Sequence, residues 1–308
     1  MARGVSKTKV YEAIKRRWLS LNPGKEDRFC EESPYYLKDV NDNLVEPMYD
    51  RVQHSYQAGA GRELDKDMRA LHSSAAMTYN LFGNRPAYLF NGEPYDIMCR
   101  AYTVTYEKQL TALNPAAKAH LDVCLSRRDE LLLFEMKMTE WLSNSHDPLP
   151  ASYFSSEKKY PDWDLFVGLK MTRDLFHTDA GEKGYAPRAK HLDTAQLFKH
   201  VYAIYNALFY TGELPLTEKV KLCLCVWTIS NPSFFDDPAQ YDLYVTAEQE
   251  LHEEFEAFRS RLSDLIGMME DRGVRFDVEL LTVGELISRM HKSDQLKRYC
   301  YGKKGRLK

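Results

Sequence analysis

The stretch HLDVCLSRRDELLLFEMKMTE, residues 120–140, decides how the rest of the chain is read. Two apolar runs flank the polar segment from Arg127 to Glu130, the pattern of an antiparallel β-hairpin. If the turn is centred between Arg128 and Asp129, Asp122 falls directly opposite Glu135 on the neighbouring strand. Strand alternation then brings Lys137 to the same face as that pair. The other parity, carrying Val123, Leu125, Leu132, Phe134 and Met136, is uniformly apolar and must pack on something.

The charged trio therefore shares its face with Cys124, Leu131 and Leu133, where two carboxylates repel one another and lose hydration unless a cation compensates. A divalent metal ion is the usual remedy. Phosphodiester cleavage needs a hard cation to neutralise developing charge and activate water, which Asp and Glu oxygens hold. It also needs a positive group near the nucleophile, which a lysine supplies. Asp122, Glu135 and Lys137 are thus the expected catalytic cluster, with Mg²⁺ as cofactor and Mn²⁺ as a substitute. The plainer alternative is a solvent-facing hairpin whose carboxylate pair is relieved by the lysine.

Working outward, Val10 to Leu19 has the spacing of a basic amphipathic helix, and residues 22–60 form a polar, weakly periodic arm. Leu64 through Leu81 predicts one or two helices stopped by Gly83 and Pro86. The segment from Tyr95 to Leu110 contains a strand, YTVTYE, ahead of the hairpin. Residues Ser143 to Pro187 have the composition of an insertion or an extended connection. Downstream, His191 to Phe209 predicts a helix starting near Asp193, KVKLCLCVWTIS a buried strand, Glu248 to Asp271 one long amphipathic helix, and VELLTVGELISRM a last strand and helix. This order predicts an α/β fold, a mixed central sheet flanked by helices, with an N-terminal arm and helical C-terminal additions. The expected division is an arm over residues 1–62, a core over 63–290 and a basic tail over 291–308.

Two segments resemble the PD-(D/E)XK nuclease superfamily, in its restriction-endonuclease-like branch. His72-Ser-Ser-Ala-Ala-Met-Thr-Tyr-Asn-Leu-Phe-Gly83 is similar to a helix of the form SS-x-A-x-x-x-N-L-F-G, and Phe134-Glu-Met-Lys-Met-Thr-Glu140 to a strand of the form I-E-x-K-x-T-E. The likeness spans roughly residues 64–265 and is strongest over 72–140. The resemblance implies that Asp122 is the aspartate of the second core strand and that Glu135 and Lys137 are the E-x-K pair. It also implies that Glu107 is a further acidic metal contact and that Gln196, in DTAQLFKH, is a glutamine directed at the active site. The proline named in the motif is absent, Leu121 standing before the aspartate.

The function implied is a metal-dependent endonuclease acting on DNA, of the kind found in restriction or defence. Two alternatives remain, a catalytically silent nuclease-fold module that binds nucleic acid or a partner, and a helical scaffold assembled through Glu248 to Asp271. A homodimer is the usual arrangement where both DNA strands are cut. Ser73 and Ser74 are candidates either to cap the helix that follows or to touch a DNA phosphate, and Asn80 to hold a loop. Thr139 and Glu140 extend the E-x-K strand, where Glu140 is expected to orient or cap.

Composition bounds these readings. The chain has 308 residues, 44% of them apolar, and a formal net charge of only -3, so DNA contact must come from local patches. The basic clusters Lys7 to Arg17 and Lys297 to Lys308 are the candidates, with Lys303, Lys304 and Arg306 in the second. No zinc-ligand spacing, HExxH motif or phosphate-binding GxxxxGK[ST] loop occurs. Six scattered cysteines and the lack of a long apolar stretch predict a soluble cytoplasmic protein with free thiols and no membrane partner.

Overall fold

The loop of Arg128 and Asp129 joins strands β2 (Lys118–Arg127) and β3 (Glu130–Lys137), and the ladder pairs Arg127 with Glu130, Leu125 with Leu132 and Val123 with Phe134. This is the register the apolar pattern predicts. At the turn the Arg127 guanidinium lies 2.9 Å from Glu130 Oε2, and the Tyr102 hydroxyl donates to the same carboxylate. In this computed structural model residues 4–58, 66–83, 102–112, 118–143, 146–154, 177–179 and 184–289 are described, with isolated positions at 64, 168, 170, 173 and 174.

β1 (Thr103–Thr111) pairs antiparallel with β2 on the far side of the hairpin, while β6 (Lys219–Val226) pairs parallel with β3, and β7 (Arg275–Thr282) parallel with β6. The five-stranded mixed sheet thus runs β1-β2-β3-β6-β7, and a separate two-stranded ribbon is made by β4 (His177–Asp179) and β5 (Tyr185–Pro187). Among the described residues seven helices flank the main sheet: α1 (Lys7–Leu21), α2 (Asp50–Ala58), α3 (Ser74–Phe82), α4 (Thr194–Asn206), α5 (Pro238–Ser260), α6 (Ser263–Asp271) and α7 (Val283–Arg289).

Each face of the hairpin has its own helix. On the apolar face Phe134 packs against Phe82 of α3, ring centres 5.2 Å apart. α3 begins where the Ser73 hydroxyl accepts the Ala76 N–H and ends at Gly83, whose φ of 57° places it in the region that residues with a Cβ avoid. Asn80 is buried and ties the helix to the preceding segment, accepting from the Val45 N–H and donating to the Asn43 carbonyl. On the polar face lies α4, capped by Asp193 and buried along most of its circumference. It continues into a π-helical turn, Ala207–Thr211.

Two expectations need correction. The N-terminal arm is no loose appendage, because Trp18, Phe29, Leu37, Leu44, Val52 and Tyr56 join the main core, and α2 forms within it. Three basic residues of α1 make contacts to other parts of the chain: Arg16 donates to the Phe234 carbonyl and pairs with Asp236, Lys15 lies over the Phe29 ring, and Arg17 over Phe234. The long C-terminal helix is two helices. α5 begins ten residues earlier than Glu248, at Pro238 behind the Asp237 cap. It stops where the Arg261 and Leu262 N–H groups bond to Phe258 and Arg259, tightening the last turn before α6 restarts. Among the described residues no helix is long and apolar enough to cross a membrane.

Candidate active site

Beyond the pair Val123–Phe134 the β2–β3 ladder stops. In an unbroken hairpin the Met136 N–H would donate to the Leu121 carbonyl, since hydrogen-bonded pairs alternate. Instead it donates to Asp122 Oδ2 at 2.6 Å. The aspartate side chain thus takes over the role of a strand carbonyl, and it does so beside Glu135, the residue that the register sets opposite it.

Glu135 is 3% exposed and held from two sides. Lys137, its neighbour on the same strand face, places Nζ 2.7 Å from Oε1, and His200 of α4 places Nε2 2.8 Å from Oε2. The face is buried under a helix, which removes the solvent-facing alternative. Burial and the charge of Glu135 push the Asp122 carboxyl well above its ordinary range, against the opposing pull of Lys137 and the Met136 N–H. Burial would also raise Glu135, but the Lys137 ammonium and His200 override it and hold that carboxyl at about 2. For Lys137 burial works toward the neutral amine, and Glu135, Glu140 and Asp122 outweigh it, so the ammonium is held more firmly than in water. The pair is therefore asymmetric, with Glu135 the firm anion and Asp122 the group that gives way.

Glu135, Lys137 and Gln196 line one small, partly open pocket. Trp141, His191 and Leu224 complete much of its wall. Gln196 reaches it from the first turn of α4, where its N–H is capped by Asp193 Oδ1 at 2.9 Å. Glu140 behaves as a cap, its Oε2 accepting from the N–H groups of Met138 at 2.7 Å and Thr139 at 2.8 Å.

Glu107 occupies the position opposite Asp122 on β1, bracketed by the pairs Tyr106–Val123 and Lys108–Leu121. Its charge adds to the upward push on Asp122. Among the described residues it is the one non-glycine with positive φ, at 49°. Such a backbone costs on the order of 1–3 kcal/mol and persists only where its surroundings dictate it. Three strands thus bring three carboxylates, those of Glu107, Asp122 and Glu135, to one row across the sheet.

This donor set fits a hard divalent cation, being all carboxylate oxygen; Cys223 and Cys225 alternate to the opposite face of β6, where burial raises both thiols. As the side chains stand, no three His, Cys, Asp or Glu groups among the described residues converge closely enough to grip one ion. Lys137 instead provides the positive charge at Glu135.

Ser73 has the capping role, buried with its hydroxyl engaged, and Ser74 is the first residue of the helix. Lys303, Lys304 and Arg306 lie outside the described residues. Sequence reasoning missed His200, although a signal existed: it stands one helical turn after Gln196, so the two share a face of α4. His120, two residues before Asp122 on the same strand face, was also passed over; burial and the nearness of His200 lower its pKa. No family model, curated protein or solved structure matches this chain.

Proposed function

We propose that the chain is a metal-dependent endonuclease of the PD-(D/E)XK type that hydrolyses DNA in the cytoplasm. The observation that carries this reading is the placing of Asp122 opposite Glu135 by the hairpin register, with Lys137 on the same face and Glu135, Lys137 and Gln196 on one pocket. Asp122 and Glu135, with Glu107 beside them, would hold Mg²⁺ or Mn²⁺. The ion supplies charge neutralisation at the phosphate and an activated water. Lys137 would then orient that water or meet the phosphate, and Gln196 would position the substrate from the pocket wall. The likeness of residues 72–83 and 134–140 to the superfamily's motifs supports this reading, as does the mixed sheet in which an antiparallel hairpin is extended by parallel strands.

One observation favours a second reading. Both Glu135 oxygens are already engaged by Lys137 and His200, which suits a nuclease-fold module that binds nucleic acid without cutting it. Plasmid, linear and single-stranded DNA incubated with Mg²⁺ or Mn²⁺ separate the two. Cleavage that disappears in Asp122→Ala and Lys137→Ala, with folding retained, supports the enzyme. DNA binding without cleavage supports the module, and cleavage that is unchanged in both variants removes the trio from the chemistry.

A further inference from the structure

His200 sits in the middle of α4, 2% exposed, in a stretch of helix where nearly every neighbour is also buried. Its Nε2 lies 2.8 Å from Glu135 Oε2, while its Nδ1 is buried with no hydrogen-bond partner among the described residues. A ring with one nitrogen on a carboxylate and the other facing nothing has its hydrogen on the carboxylate side, because a buried N–H without an acceptor is far costlier than a bare lone pair. His200 is therefore a one-sided donor aimed at Glu135.

The two partners of Glu135 differ in kind. Lys137 is a four-carbon arm ending in a compact ammonium, its side chain 18% exposed at the pocket, and it can swing away. His200 is a planar ring with two torsions, fixed in a packed helix. A cation entering beside Asp122 competes with the ammonium for Oε1 and leaves the imidazole on Oε2 undisturbed.

We infer that His200 is a positioning residue that pins Glu135 through Oε2 and thereby keeps Oε1, the oxygen now covered by Lys137, presented to a hard divalent cation. This rests on the metal-site reading proposed above and deepens it: Lys137 guards the oxygen used for the ion, and His200 fixes where that oxygen is. Partners of this kind behind a liganding group typically change metal affinity by about 10–100-fold.

The test is Mn²⁺ binding to the full chain by electron paramagnetic resonance, alongside thermal melting in EDTA, for the wild type, His200→Gln and His200→Met. Gln places an amide N–H where Nε2 stands, and Met fills the space with no donor. The expected result is a 10–100-fold weaker Mn²⁺ affinity in His200→Met and a near-normal affinity in His200→Gln, with the fold retained in both. If His200→Met does not fold, His200→Asn replaces it, since its amide is polar but too short to reach Oε2. An unchanged affinity in the donor-free variant overturns the inference, as does an equal loss in His200→Gln. A wild type that binds no Mn²⁺ overturns the metal-site reading itself, and the inference with it, and that outcome is read before any variant is compared.

Discussion

Replacing Lys137 by Met should destabilise the metal-free protein and tighten its grip on metal at the same time. The ammonium is 2.7 Å from Glu135 Oε1 and is the nearest full positive charge to a carboxylate that is 3% exposed. Removing one member of a buried pair costs about 3–5 kcal/mol, because the other charge is left uncompensated. The lower end applies here, since His200 keeps its bond to Oε2 and Lys137 is itself partly exposed. About 3 kcal/mol corresponds to a melting temperature lower by roughly 6–12 °C in EDTA. If a cation at the site restores what the ammonium supplied, the same energy reappears as binding, and Mn²⁺ affinity rises by up to roughly 150-fold. Cleavage should nonetheless vanish. Urea titrations with EDTA and with graded Mn²⁺, fitted for both proteins, read each quantity. A Lys137→Met protein as stable as wild type without metal, or one that binds Mn²⁺ more weakly, would show that the ammonium is not holding the place of an ion.

Asp122→Asn keeps an oxygen for the Met136 N–H but removes a carboxyl whose ionised form burial and Glu135 both disfavour, so it should melt higher than wild type in EDTA while losing Mn²⁺ binding and cleavage. A lower melting point would contradict the repulsion argument. Glu107→Gly removes the penalty of its left-handed backbone and should raise the urea midpoint by the equivalent of about 1 kcal/mol, a gain that fails to appear if φ of 49° is unstrained there. His72 and His177 are desolvated, which lowers each to about 4 from 6.5, so both stay neutral in the folded chain while the unfolded chain protonates them. Their contribution is complete above pH 6.5 and is lost as pH falls toward 4, by about 3 kcal/mol for each ring. Denaturation curves between pH 7.5 and 4.5 should show this decline, and His72→Phe should flatten its share; stability that is level over that range refutes the sign.

Parts of this were legible from residue order alone because the physics is local. Arg128 and Asp129 fix a turn, a turn fixes parity, and parity puts Asp122 opposite Glu135 whatever the rest of the chain does. Asp193 announces α4 in the same way, and Asn80 and Glu140 do what short-range hydrogen bonding leads one to expect. What escaped depends on distant partners. α2 is weakly periodic and is stabilised where Val52 and Tyr56 meet the core. The break between α5 and α6 carries no proline or glycine to mark it, since Arg261 and Leu262 could both continue a helix. The bond between His200 and Glu135 joins positions separated by 65 residues, and the backbone of Glu107 has a dihedral that composition does not encode.

The Asp122 carboxylate intercepts the Met136 N–H just where the hairpin would otherwise have zipped onward. The two strands are held from sealing by the very group that chemistry would use, so the notch in the sheet is maintained by its own occupant. An apolar residue at that position would do more than delete a charge: it would free the N–H to find Leu121, let the seam close by another pair, and erase the opening along with the function.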